Sequence, residues 1–330
     1  MKRGIYMKID VVYMVGERKT EIRQMEIGDP QPWEVQIEVF ACGVCAWDAY
    51  LFKGMDLLQP HPFSIGHEAA GIITKVGSRV KNFAPGDRVF CIEEQPQMQM
   101  AQYTNISADH VGLLPGKPEK PEEFAYLIAE PCVCVVNSLT NSGLRPGDNV
   151  AIIGTGYMGL LNIQALHHSN IGKLICFDID EKRLGLAKRY GADACYISGS
   201  AEAEKAAKET IASGGVDMTI ECSSTQVGLQ LASDLVRNGG TINNFAWHRA
   251  QRTVDTSPWH LRGLRIVNTG PAIDRHFPDN VVPTSRLLSR GVFNQEELVT
   301  HVMDYHDIQK MLTIAESKTE GYIKGVITFK

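Results

Sequence analysis

VAIIGTGYMGL, residues 150–160, is the stretch whose reading decides the fold. Val150–Ile153 is an apolar run of strand length, and Gly154, Gly156 and Gly159 follow it in G-x-G-x-x-G spacing. Glycines at this spacing are common in ordinary turns, so the context must carry the argument. The residues from 157 to 168, YMGLLNIQALHH, have helical apolar spacing, and the next apolar run, KLICFD, ends on Asp178. Strand, glycine turn, helix and an acid closing the next strand are the setting in which a dinucleotide is held. Gly154 permits the tight turn, Gly156 lets backbone approach a pyrophosphate, and Gly159 lets the helix pack on the sheet. Tyr157 and Met158 open the helix, whose unsatisfied N–H groups face the phosphates.

Asp178 follows Gly159 by 19 residues, the spacing of a ribose-binding acid. A carboxylate there accepts from a 2′-hydroxyl and repels a 2′-phosphate, which favours NAD over NADP. Arg183 lies where an arginine can serve a phosphate, and Asp178 and Asp180 can also be read as caps of the next helix.

Outward from this turn, the alternation continues. EKRLGLAKRY (181–190) is an amphipathic helix, VDMTIE (216–221) a strand, VGLQLASDLV (227–236) a helix and GTINNF (240–245) a strand. This is the rhythm of a doubly wound parallel sheet, so the fold class is α/β. Before about residue 140 the texture differs. Short alternating stretches such as VQIEVF (35–40) are split by GDP, APGDR and LPGKP, as in a meandering antiparallel β region. The last sixty residues hold helical segments at SRLLSRG and DIQKMLTIAES and a terminal strand, IKGVITF. The expected organisation is therefore a β-rich domain, 1–138 and 274–330, with an α/β domain, 139–273, inserted in it.

The chain has 330 residues, 44% hydrophobic and 22% charged, with a formal net charge of -5. It contains no basic block, acidic tail or apolar run long enough to span a bilayer, so nucleic acid and membrane are not expected partners. MKRGIYMKIDVVYMV at the N-terminus reads as a strand rather than a signal peptide. Eight scattered cysteines do not form a disulfide framework and suit a reducing, cytoplasmic compartment.

ACGVCAWD, residues 41–48, places Cys42 and Cys45 two residues apart, outside the βαβ setting that a redox C-x-x-C needs. Cys42 reads as a packing residue at a strand end. Cys45 begins a helix, where the helix dipole lowers a thiol's pKa. His67, Glu68 and Glu130 add an imidazole and carboxylates, a zinc-type set with an open position. Asp48, three residues past Cys45, can reach back and hydrogen-bond the far nitrogen of His67.

These motifs resemble those of the medium-chain, zinc-dependent alcohol and polyol dehydrogenases. GHEAAGIITKVGSRV (66–80) matches the zinc motif G-H-E-x-x-G-x-x-x-x-x-G-x-x-V at every fixed position, and NFAPGDRV resembles the turn and strand that follow it. IAEPCVCVVNSL (128–139) resembles the sorbitol-dehydrogenase branch, where a glutamate replaces the third protein ligand, a cysteine, of liver-type enzymes. The glycine turn, Asp178, VDMTIEC, NGGTI and YIKGVITF follow in family order, so the resemblance covers nearly the whole chain. It implies a chaperonin-10 (GroES)-like catalytic domain and a Rossmann domain. It further implies Cys45 and His67 as ligands of one catalytic zinc, Glu68 as a ligand or exchangeable neighbour, and Glu130 as the third protein ligand, direct or through water. Asp178 and Arg183 fall on the positions that contact the adenosine ribose. Self-association as a dimer or tetramer is likewise implied.

Two departures carry information. CIEEQPQMQMAQYTNIS (91–107) stands where relatives place four close cysteines, but holds only Cys91, so no structural zinc is expected. That Gln- and Met-rich stretch is expected to pack as an irregular lobe or to cover a subunit contact. Trp47 stands where the family has a proton-relay Ser or Thr, and an indole N–H donates but cannot accept. Tyr50 falls where liver-type enzymes place a relay histidine; either Tyr50, Glu68 or a zinc-bound water replaces the hydroxyl, or Trp47 is a large pocket wall and protons leave through water. The expected activity is hydride transfer between NAD and a secondary alcohol or ketone, polyhydroxylated if Trp47 stacks a sugar or cyclitol ring. Trp247, His248, Arg249 and Trp259 are further candidates to face the substrate, or equally to pack or to face a partner subunit. The alternatives are a zinc-free quinone or enone reductase of the superfamily and a non-catalytic dinucleotide sensor.

Overall fold

The computed structural model describes residues 6–55, 60–92, 98–270, 275–319 and 321–329. The chain divides into two units, a flanking unit of Met1–Val133 with Pro278–Lys330 and an inserted unit of Cys134–Phe277. The expected boundary at 273/274 lies in residues 271–274, outside the described residues.

The flanking unit begins with β1 (Met7–Gly16), β2 (Lys19–Ile27), β3 (Glu34–Val44), α1 (Ala46–Phe52), β4 (Phe63–Ser64), β5 (Ala69–Val76), β6 (Arg88–Cys91), β7 (Tyr103–Ser107), β8 (Val111–Leu113) and α2 (Pro121–Phe124). Helix α3 (Glu130–Ser142) spans the boundary residue. The inserted unit holds β9 (Val150–Ile153), α4 (Tyr157–His167), β10 (Leu174–Asp178), α5 (Glu181–Arg189), β11 (Ala194–Ile197), α6 (Ala201–Ala212), β12 (Val216–Glu221), α7 (Gln226–Leu235), β13 (Val236–Asn244), α8 (Ser257–Leu261) and β14 (Arg265–Asn268). The flanking unit resumes with α9 (Val281–Ser289), β15 (Val299–Asp304), α10 (Ile308–Ser317) and β16 (Lys324–Thr328).

In the flanking unit, β2-β1-β4 form a small antiparallel sheet. A second sheet runs β15-β16-β3-β5-β6-β8, with β7 also paired to β3. The pairing of β16 with β3 is antiparallel and sets Val326 opposite Gly43. The last strand of the chain is thereby brought beside the strand that leads to Cys45. Val12, Met14, Ile37, Val39, Phe52, Ile73 and Val89 form the core between the elements. Helix α10 adds Ile308, Met311, Leu312 and Ala315 to it, an i, i+3, i+4, i+7 stripe facing the sheet.

The inserted unit is a parallel sheet in the order β11-β10-β9-β12-β13-β14. Counted from β9 this is the 3-2-1-4-5-6 order of the doubly wound dinucleotide fold, with the winding reversing between β9 and β12. Ala203 of α6 and Ala232 and Leu235 of α7 pack on Ile153, Ile175 and Phe177 on one face. The strand and helix runs read from 149 to 245 match these elements. Strand β11, helices α6 and α8 and strand β14 were not foreseen. Strands β11 and β14 are the sheet edges and α6 buries only Ala203 and Ala206, so their apolar pattern is faint.

Candidate functional site

Cys45 occupies the N-cap of α1, directly after β3. The Asp48 carboxylate turns back and its Oδ2 accepts from the Cys45 backbone N–H at 2.8 Å. His67 and Glu68 lie in the segment between β4 and β5, with 5% and 1% of their surface exposed. The ligand atoms of Cys45, His67 and Glu68 lie within 4.8 Å of one another, the one such group found among the described residues. His67 Nδ1 and Asp48 Oδ1 are 3.9 Å apart. This exceeds hydrogen-bond range, so the pairing expected from the sequence is an electrostatic contact. Neither atom has a hydrogen-bond partner, although both are buried.

Burial alone disfavours a charged His67 imidazole. Asp48, Cys45 and Glu130 outweigh it and hold the imidazole pKa well above the ordinary range. Burial raises the Asp48 carboxyl, and the His67 charge partly opposes that. A buried pocket that draws positive charge, lined by a thiol, an imidazole and a carboxylate, fits a zinc-type cation by its donor chemistry.

Lys324 is the functional side chain that sequence reasoning missed. It is 4% exposed, and its Nζ lies 2.7 Å from Glu68 Oε1 and 2.6 Å from Oε2. Burial works against its charge, but Glu68 and then Cys45 outweigh burial and hold its pKa above the ordinary lysine value. The partners are 256 residues apart in sequence. IKGVITF reads as a plain strand, so no local signal marks Lys324 as inward-facing. Gly43, register partner of Val326, makes room for the pair, because a Cβ at residue 43 would land on the Glu68 carboxylate.

Cys42 is fully buried, and burial pushes its thiol up, so it stays protonated. Glu130, the first residue of α3, is 4% exposed and acts on His67 through its charge, but lies outside the 4.8 Å group. Trp47 is half-buried and stacks on Tyr50, with ring centroids 6.1 Å apart and planes at 24°. Of the Gln- and Met-rich stretch, residues 93–97 lie outside the described residues. Gln99 beyond them is buried, its Oε1 accepting from Ala69 N at 3.0 Å and its Nε2 donating to Ile92 O at 2.7 Å.

In the inserted unit the glycine turn shows three distinct environments. Gly154 has φ +96, the left-handed region, and a Cβ there would press on the Ser223 backbone. A Cβ on Gly159 would strike the Gly154 carbonyl, so α4 lies close against the turn. Gly156, N-cap of α4, faces open space. Tyr157 is buried and Met158 half-buried at the start of that helix. Asp178 Oδ2 accepts from Thr155 N at 2.5 Å and Oδ1 from Asp180 N at 2.9 Å, tying the end of β10 to the turn. Asp180 caps α5, accepting from Lys182 N and Arg183 N. The Arg183 Nε is 3.7 Å from the Asp180 carboxylate. An open glycine at a helix N-terminus beside a held carboxylate fits a dinucleotide.

Beside the turn, the fully buried Glu221 at the end of β12 accepts from Ser223 N at 2.8 Å and Ser224 N at 3.0 Å. Its Oε2 is 2.9 Å from His248 Nε2. The Arg249 guanidinium covers the Trp247 ring at 5.3 Å. Trp259 donates to Ser233 Oγ at 2.6 Å and packs on the sheet core, a structural role that links α8 to α7.

Comparison with known proteins agrees with this architecture. Residues 31–119 match the model of the alcohol dehydrogenase GroES-like domain, and residues 158–273 that of the zinc-binding dehydrogenase family. Sorbitol dehydrogenase of Ovis aries is 26% identical over 352 residues, covering 94% of this chain and 93% of that protein. L-idonate 5-dehydrogenase of Vitis vinifera is 24% identical, covering 87% and 88%. A crystal structure of an Escherichia coli oxidoreductase/dehydrogenase of unknown specificity superposes with a TM-score of 0.87 at 24% identity, covering 98% of this chain and all of that one. With both domain models matched in order, over the two folds the structure displays, the chain belongs to the zinc-type medium-chain alcohol and polyol dehydrogenases.

Proposed function

We propose that the protein is a zinc-dependent dehydrogenase that moves hydride between NAD and a secondary alcohol or ketone, with a polyol, sugar or cyclitol as substrate. The convergence of Cys45, His67 and Glu68 within 4.8 Å is the observation that carries this reading. Cys45 and His67 hold the metal, with Glu68 and Glu130 as the carboxylates at hand. When bound, zinc supplies Lewis acidity toward a substrate hydroxyl and the nicotinamide supplies the hydride acceptor. Lys324 sets the direction of the Glu68 carboxylate, and Asp48 orients His67 through charge. The Gly154–Gly159 turn receives the pyrophosphate and Asp178 the adenosine ribose, with Arg183 beside it. Trp47 lacks an acceptor, so the hydroxyl proton leaves through Tyr50, Glu68 or water, and the indole face serves as a wall for a ring-shaped or polyhydroxylated substrate. The sorbitol and idonate dehydrogenases among the relatives support the polyol class.

The test is metal analysis of purified protein, followed by a polyol panel read by NADH formation with NADP run in parallel. One zinc per chain and turnover of a polyol with NAD are expected. Cys45→Ser is expected to lose zinc while Cys42→Ser keeps it; equal losses mean that the wrong thiol is assigned. Bound zinc and dinucleotide without turnover of any alcohol or ketone would favour a sensor.

A further inference from the structure

Two thiols outside the metal centre lie side by side in the parallel sheet. Cys176 of β10 and Cys195 of β11 are direct register partners on adjacent strands. Neighbouring strands run about 4.8 Å apart, inside the window of about 4.4–6.8 Å that a disulfide spans between Cα atoms. Side chains alternate along a strand, so both sulfurs leave the same face. The next registered pair, Phe177 and Tyr196, meets with ring centroids 5.4 Å apart and belongs to the core on the opposite face.

The two environments differ. Cys176 is fully buried, whereas Cys195 sits half-buried on the edge strand. A hydrogen bond from the Cys176 thiol lowers the Cys195 thiol pKa, against burial, with help from the Lys188 charge. The Lys188 Nζ is held nearby, donating to Asp193 O at 2.6 Å. The same bond, and then burial, raises the Cys176 thiol. Among the described residues these sulfurs belong to no group with metal-ligand spacing.

We propose that Cys195 and Cys176 form a peroxide-driven cross-strand disulfide, with Cys195 as the attacking sulfur and Cys176 as the resolving one. The Cys195 thiolate attacks one oxygen of hydrogen peroxide and the O–O bond breaks. Hydroxide leaves and takes a proton to become water, and Cys195 is oxidised by two electrons to the sulfenic acid. The Cys176 sulfur then attacks the Cys195 sulfur, the S–O bond breaks, and water leaves with the Cys176 proton. Two thiols and one peroxide thus give one disulfide and two waters. The cross-link closes two residues before Asp178, on the strand whose end holds the glycine turn.

The experiment exposes the full-length, zinc-loaded protein to graded hydrogen peroxide, with non-reducing peptide mass mapping. A linked pair of peptides carrying Cys176 and Cys195, lighter by two hydrogens and separated again by dithiothreitol, is expected. In Cys176→Ser, Cys195 stops at the sulfenic acid and is trapped by dimedone. In Cys195→Ser, loss of the Cys176 thiol slows by about tenfold or more, as for a buried thiol without a reactive neighbour. A link from either cysteine to Cys222 overturns the proposal. So does oxidation of wild-type Cys195 to the sulfinic acid without a cross-link. The wild-type map decides the matter even if a variant folds poorly.

Discussion

At the scale of single residues, Lys324 and Glu68 show how much of this site depends on charge compensation. Glu68 is 1% exposed, and the Lys324 ammonium sits against both of its carboxylate oxygens; a buried ion that loses such a partner is strongly destabilising. Lys324→Met keeps similar bulk and removes the charge. In metal-stripped protein it is expected to destabilise the fold by about 3–5 kcal/mol, the cost of a buried ion without its partner. Urea denaturation measures this, and adding Glu68→Gln to the same chain is expected to recover much of the loss. If the double variant is as unstable as the single one, the loss comes from packing and not from charge. Cys45, His67 and Glu68 were legible because their neighbours carry a pattern. Lys324 was not, because its partner is reached only through the pairing of β16 with β3.

At the scale of elements, side-chain contacts tie neighbouring strands of the inserted unit together where the pairing of β12 with β13 shifts register, between Val216 and Met218. Asp217, near the start of β12, receives Arg237 Nε of β13 on Oδ1 at 2.6 Å and Asn149 N on Oδ2 at 2.8 Å. Burial raises this carboxyl, but Arg237 and the Asn149 backbone outweigh it and hold the pKa below the ordinary aspartate value. A folded pKa below the unfolded one contributes stability above the unfolded pKa, and that contribution is lost as pH falls through the folded value. Asp217→Asn is therefore expected to flatten the acid limb of a stability–pH curve. Because the pair is partly exposed, its worth at neutral pH is about 1 kcal/mol or less. Thermal melts between neutral and acidic pH check this; an unchanged acid limb would remove Asp217 from the account. Helices α4, α5 and α7 and the central strands were readable from periodicity; α6, which buries only Ala203 and Ala206, was not. The edge strands β11 and β14 were not, since a strand that buries little leaves little pattern.

At the scale of the whole molecule, the candidate ligands Cys45, His67, Glu68 and Glu130 all fall in the flanking unit, and the glycine turn and Asp178 in the inserted one. Chelation of the metal is expected to raise amide hydrogen exchange in α1, in the segment before β5 and in β16, and to leave β9 and β10 unchanged. Adding NAD is expected to protect the turn at 154–159 and the end of β10. Exchange that rises equally in both units on chelation would contradict a metal held by the flanking unit alone. No helix among the described residues is long and apolar enough to cross a membrane. The sequence by itself determined the alternation of strands and helices, the glycine turn and the cluster of potential ligands, because each rests on spacing along a few neighbouring residues. Only the tertiary structure decided that Lys324 neutralises Glu68, that Asp48 meets His67 through charge at 3.9 Å, and that Cys176 lies beside Cys195. Those facts depend on strand pairing between distant segments, and pairing is settled by the packing of the whole sheet, not by any local pattern.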